Sequence, residues 1–188
     1  MKIENTSLKD AYIITPDVHG DSRGWFMESY TKNKLQDITN IEFIQDNQSY
    51  SSQKGILRGL HCQLNPHCQT KLIRCTKGEI YDVIVDIRQG SPTYKQYIKV
   101  LLSAENKKQL FIPKGFLHGF VTLTDEVEVQ YKVDDYYNKE CDRSVKFDDP
   151  ELNVDWGRSN PILSDKDKNA PLLKESDCIF TYENDLLY

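Results

Sequence analysis

The run Lys71-Leu72-Ile73-Arg74-Cys75-Thr76-Lys77-Gly78-Glu79-Ile80-Tyr81-Asp82-Val83-Ile84-Val85-Asp86-Ile87 reads as two apolar, β-branched segments on either side of a Lys-Gly turn. A turn of that kind predicts a tight hairpin, with 71–76 and 79–87 as antiparallel neighbours. Segments of the same character recur at 11–14, 25–30, 43–45, 56–63, 97–102, 109–112, 119–123 and 127–133, each bounded by turn residues. Short strands at such intervals make an antiparallel sandwich or barrel. Only 31–38 reads as a helix, opening at a Thr that could cap it, so a doubly wound α/β fold is disfavoured. Beyond Asp134 the chain turns richer in Asp, Asn, Lys and Pro, which predicts long loops wrapped over the sheets and a short helix near 172–176. The expected class is all-β.

The chain has 188 residues, a size that fits a single domain spanning 1–188, and 38% hydrophobic with 11% aromatic content is enough to build a core. Twenty-four Lys and Arg against 29 Asp and Glu leave a net charge of −5. An acidic chain lacks the basic face that nucleic acid or anionic lipid requires, so neither is an expected partner. No apolar run is long enough to span a bilayer, and the N-terminus has no secretory pattern, so a cytoplasmic location is expected. Five cysteines without a C-x-x-C pair fit neither a disulfide framework nor a thiolate zinc site; reduced thiols are expected.

Chemistry has few candidate carriers, because there are four histidines. His61 lies in Leu57-Arg58-Gly59-Leu60-His61-Cys62-Gln63, where alternation puts Leu57, Gly59, His61 and Gln63 on one face. On that strand alone His61 is equally a satisfied core residue or a proton carrier. His118 follows Pro113-Lys114-Gly115, a second inward candidate, while His19 and His67 read as loop residues beside Gly20 and Pro66. The Pro-x-Gly-x-x-His spacing resembles the second motif of the cupins, which often hold a metal. Their first motif needs His-x-His, and here the residues are His61-Cys62-Gln63. Two plausible ligands fall short of a transition-metal site, so no metal is expected and His61 is free for general-base work near neutrality.

Further blocks occur in order: Asp21-Ser22-Arg23-Gly24-Trp25-Phe26, Gln45-Asp46-Asn47-Gln48-Ser49, Leu57-Arg58-Gly59-Leu60-His61, Val85-Asp86-Ile87-Arg88, Leu102-Ser103-Ala104-Glu105-Asn106, Pro113 to Phe120, Tyr131-Lys132 and Leu163-Ser164-Asp165-Lys166-Asp167. Together, from about Val18 to Leu173, they resemble the dTDP-4-dehydrorhamnose 3,5-epimerase family of cupins. The resemblance implies a cupin-type jelly roll, a homodimer, and a dTDP-4-keto-6-deoxy sugar epimerised at C3 and C5 without a cofactor. It implies His61 as base, Asp167 as its orienter, Lys71 beside the C4 oxygen and Tyr131 as acid across the ring. It further implies substrate contacts from Arg23, Glu28, Gln45, Asn47, Arg58, His118, Asp142 and Lys166.

The chemistry fits those residue types. A hydrogen on carbon next to a ketone is acidic because the carbanion delocalises onto oxygen, and fixed positive charge stabilises the resulting enolate. Arginine pairs bidentately with phosphate, so an acidic chain can still hold a diphosphate. Arg58 and His61 are three apart and should alternate to opposite faces, which predicts a bulge near Gly59 if both reach one ligand. Arg143 and Phe147 depart from the family pattern, at positions expected near the nucleotide. Three other readings share the sequence: an epimerase acting at C3 alone, a metal-dependent cupin enzyme, and a non-catalytic carbohydrate-binding sandwich using Trp25 and Phe26 as platforms.

Overall fold

The computed structural model describes residues 1–183. In chain order the strands are β1 (Lys2–Asn5), β2 (Tyr12–Thr15), β3 (Val18–Asp21), β4 (Gly24–Met27), β5 (Gln45–Ser51), β6 (Leu57–Gln63), β7 (Lys71–Lys77) and β8 (Glu79–Asp86). They continue as β9 (Arg88–Gln89), β10 (Tyr97–Ser103), β11 (Gln109–Ile112), β12 (Phe116–Thr122), β13 (Val127–Val133), β14 (Asp142–Ser144) and β15 (Phe180–Thr181), with one short helix, α1 (Asp165–Lys168). Two antiparallel sheets form a jelly roll: β1-β2-β11-β7-β13-β5 and β10-β8-β12-β6-β14.

Alternation sorts side chains into layers. Ile73 and Cys75 of β7, Ile80 and Ile84 of β8, Phe116 and Phe120 of β12, and Val127 and Val129 of β13 pack together between the sheets. The intervening residues Val83, Val85, Leu117 and Val121 face the opposite way, against Val145, Leu152, Trp156 and Phe180 of the C-terminal segment. Leu72 and Phe111 back the other sheet, under Leu35. Each such burial is worth about 1.5–3 kcal/mol, against about 0–1 for an exposed ion pair, so the layers hold the fold. The C-terminal loops are therefore a structural wall.

Several expectations change. The Lys77-Gly78 turn makes no hairpin: β7 pairs with β11 and β13, whereas β8 pairs with β10 and β12. The chain changes sheets at Gly78, because Ile73 and Ile80 both belong to the layer between the sheets and meet by packing. The helix expected over 31–38 shrinks to one 3-10 turn at Lys32–Lys34; Thr31 makes no cap bond and only Leu35 is fully buried, too little apolar face to hold a longer helix. His19 lies on β3 of an exposed β3–β4 hairpin instead of in a loop. The short helix expected near 172–176 is a 3-10 turn at Leu173–Glu175.

Candidate active site

A cavity of about 460 Å³ opens between the sheets, lined from one sheet by Arg58, His61 and His118 and from the other by Ser49, Lys71 and Tyr131, with Lys166 and Asp167 completing the lining. How β6 delivers both Arg58 and His61 is visible in its pairing with β12. His118 stands opposite His61 and Phe120 opposite Arg58, so two residues of β6 face one of β12. That is a bulge at Gly59 and Leu60. Leu57, Leu60 and Cys62 consequently face the outer layer, which overturns the simple alternation that grouped Leu57 with His61.

Glycine is required at this point. Gly59 has φ of +132°, and a Cβ there would lie 2.6 Å from the Gly119 Cα. Gly119 approaches from the facing strand, where its own Cβ would lie 2.8 Å from the Arg58 carbonyl oxygen. The two bare backbones let β6 shift register against β12 without opening the sheet.

His61 Nε2 lies 2.6 Å from Asp167 Oδ1. Asp167 sits on α1, whose N-cap Ser164 accepts from the Asp167 backbone N–H at 3.1 Å, and the Gly59 N–H approaches Asp167 Oδ2 at 3.3 Å. Burial alone would raise this carboxyl, but the His61 hydrogen bond and charge, with the Gly59 N–H, outweigh it and hold the group below its usual range. As an ionised acceptor Asp167 claims the proton on Nε2, which leaves Nδ1 as the basic nitrogen.

Lys71 and Tyr131 come from adjacent strands of the six-stranded sheet, with the Lys71 Nζ 5.9 Å from the Tyr131 ring centroid. Burial pulls the Lys71 ammonium below its ordinary pKa. Burial also raises the Tyr131 phenol, opposed by Arg58, so the hydroxyl stays protonated near neutrality and can donate. His118 Nε2 lies 2.9 Å from Asp82 Oδ2, and Asp82 is 0% exposed.

Of the remaining residues singled out from sequence, Gln45 and Asn47 lie on β5 and are hydrogen-bonded to each other at 2.9 Å, with Asn47 paired in register to Tyr131. Asp142 on β14 binds Lys166 at 2.5 Å. Arg23 and Glu28 do not reach the cavity of their own chain: Arg23 pairs with Asp21 at the tip of the β3–β4 hairpin, and Glu28 pairs with Lys34. Arg143 and Phe147 do not line it either. Arg143 makes a bidentate pair with Asp177 at 2.7 and 2.8 Å, and Phe147 packs on the outer layer while its carbonyl accepts from the Trp156 indole.

Two further residues near the site are not among those read from the sequence. Asp82 stands alone among apolar neighbours in the middle of β8, and a carboxylate in such a run is itself a signal. Tyr137 leaves its ring 61% exposed, with its hydroxyl 3.5 Å from Asp142. Among the described residues no group of three or more His, Cys, Asp or Glu has metal-ligand spacing.

Comparison with known proteins agrees with this architecture. A family profile described as dTDP-4-dehydrorhamnose 3,5-epimerase matches residues 5–175. The curated dTDP-4-dehydrorhamnose 3,5-epimerase of Shigella flexneri is 47% identical over 179 residues, covering 94% of this chain and 98% of that protein. The crystal structure of the Bacillus anthracis enzyme of that name, with TDP and pyrophosphate bound, superposes with a TM-score of 0.89 at 50% identity over 92% of this chain and 99% of that one. The Legionella pneumophila dTDP-6-deoxy-D-glucose-3,5-epimerase, in complex with dTDP-4-keto-L-rhamnose, gives 0.92 at 43% identity over 97% and 99%. This chain belongs to the dTDP-4-dehydrorhamnose 3,5-epimerase family.

Proposed function

We propose that the protein epimerises C3 and C5 of a dTDP-4-keto-6-deoxyhexose, converting dTDP-4-dehydro-6-deoxy-glucose to dTDP-4-dehydro-L-rhamnose without a cofactor. The observation that carries the reading is the placement of His61 and Tyr131 on opposing sheets across one cavity, with Lys71 beside the phenol. His61 Nδ1 takes the proton from carbon next to the C4 ketone. The C–H electrons move onto the C4 oxygen as an enolate, and the Lys71 ammonium stabilises that charge. Tyr131 returns a proton from the other face, which inverts the carbon; solvent then restores both residues. Asp167 fixes the imidazole and stabilises the imidazolium, as the carboxylate of a hydrolase triad does.

For the nucleotide, Arg58 and Lys166 offer cations to the diphosphate, and the exposed Tyr137 ring offers a face for the base. His118, Gln45, Asn47 and Asp142 complete the polar lining. Arg23 and Glu28 serve a second copy: the exposed β3–β4 hairpin carries Trp25 and Phe26 at 59% and 68% exposure, a surface suited to a homodimer in which it reaches the neighbouring cavity. Five free cysteines suit a reducing cytoplasm. NMR of the product formed in deuterated water tests the reaction: deuterium at both C3 and C5 supports it, and label at C3 alone replaces it with a single epimerisation.

A further inference from the structure

A second histidine–carboxylate pair lies in the cavity wall, and the proton transfers described above do not use it. His118 is the register partner of His61, and its Nε2 meets Asp82 Oδ2 at 2.9 Å. Asp82 projects from β8 and is 0% exposed, and its second oxygen, Oδ1, is buried without a hydrogen-bond partner. An unsatisfied anion under a site that must stabilise an enolate opposes the chemistry unless it serves a cation.

Lys71 lines the same cavity as His118, and of the cations there it is the one that acts on Asp82. Of the groups acting on Lys71, the Cys62 thiol is pushed well up by its bond to Cys178 and by burial, and burial raises the Cys68 thiol to about 11, so both are neutral near pH 7. Cys75 is likewise raised to about 11 by burial. Tyr131 is a neutral phenol. Asp142 is occupied by Lys166, and Asp167 by His61. Arg58 and Lys166 are cations and add none of the required sign. Asp82 is the remaining anion, and the attraction is mutual: burial raises its carboxyl, while His118 and Lys71 hold it down.

We propose that Asp82 is a positioning residue, the fixed counter-charge that keeps Lys71 an ammonium beside the reacting ketone while receiving the Nε2–H of a neutral His118. The proposal rests on the reading of Lys71 as the partner of the enolate. His118 stays neutral because burial, helped by Lys71 and His61, disfavours its second proton more than Asp82 favours it. Its Nδ1 is then left as an acceptor on a side chain that lines the cavity.

The test is Asp82→Asn, which keeps the shape and an acceptor oxygen for His118 but removes the charge. The alkaline limb of kcat/KM is expected to move to lower pH by about one unit, a tenfold change in the proton equilibrium of Lys71. In Lys71→Arg, whose guanidinium does not titrate in this range, adding Asp82→Asn should leave the limb in place. A folded Asp82→Asn enzyme with the parent's limb, or the same displacement in the Lys71→Arg background, overturns the proposal. Carbon-13 NMR of Asp82 in the parent protein serves if the variant does not fold: a carboxylate throughout the active pH range supports the assignment, and a protonated Asp82 at neutral pH ends it. His61→Asn, assayed for solvent deuterium at C3 and C5, separates the two levels. Persistent exchange removes the site reading itself, whereas its loss alongside an unmoved limb in Asp82→Asn removes only the role of Asp82.

Discussion

Arg58 and His61 are three residues apart on one strand, and both face the same cavity. Gly59 makes this possible, since the bulge there inserts one extra residue against Gly119. Gly59→Ala is expected to cost about 1–3 kcal/mol, because φ of +132° is hostile to a Cβ that would also meet backbone at 2.6 Å. For a chain of this length that is roughly 2–12 °C in Tm, measurable by calorimetry. Activity should fall further than stability, since a relaxed bulge rotates Arg58 or His61 out of the cavity. A Gly59→Ala enzyme with parental Tm and rate would refute the constraint.

Replacing His61 by Ala removes the imidazole that the proposed mechanism uses as its base. Both solvent exchange and inversion should drop by about 10²–10⁴-fold or more, followed by deuterium incorporation. Turnover near the parent's would take His61 out of the mechanism.

Tyr131→Phe separates the two faces of the ring. Exchange from the His61 side should survive in part while inversion is suppressed, so substrate recovered from deuterated water carries label without a change of configuration. Inversion at the parental rate would assign the acid to another group.

Asp167→Asn keeps the outline of the side chain but lets the amide favour the wrong imidazole tautomer. A loss of about 10²–10⁴-fold in kcat is expected, as for the equivalent change in a catalytic triad. The same carboxylate gives an acid signature in stability. Its folded pKa lies below the unfolded value near 3.8, so its contribution is present above that value and disappears as pH falls through the folded pKa. Acid unfolding curves of parent and variant should therefore differ at neutral pH and converge as the pH falls through the folded pKa.

With the proposed role of Lys71, its loss of a proton is expected to set the alkaline limit of the rate. Burial lowers its pKa from 10.5, so the ammonium is lost at a pH below that value and the rate should fall there. Lys71→Arg should be slower but keep its rate into that range, read from a pH profile of kcat.

Much of this site is legible in the residues, and what is not has physical reasons. The conflict between Arg58 and His61 under strict alternation is itself the sign of the bulge. The pairing of His61 with Asp167 came from family resemblance, because a carboxylate in Ser164-Asp165-Lys166-Asp167 carries no local sign of facing inward; the contact spans 106 positions. The strand Gln45–Ser51 was seen only at its first residue, since Gln, Asp, Asn and Ser at a cavity edge lack the apolar alternation that marks a half-buried strand. The Lys77-Gly78 turn misled because a tight reversal looks alike in sequence whether the next strand bonds beside the last or packs across from it. Arg23 and Glu28 are the residues the sequence places least well: both lie away from the cavity of their own chain, on or beside an exposed hairpin that nothing in the local sequence locates.

The wall formed by the C-terminal loops has a temporal meaning as well. During synthesis His61 emerges 106 residues ahead of the aspartate that completes it, roughly 5–20 s at 5–20 residues per second. Until α1 docks on β6 through Gly59 and His61, the nascent chain holds an imidazole without its carboxylate, so on the proposed mechanism the ability to loosen a carbon–hydrogen bond arrives only after that docking.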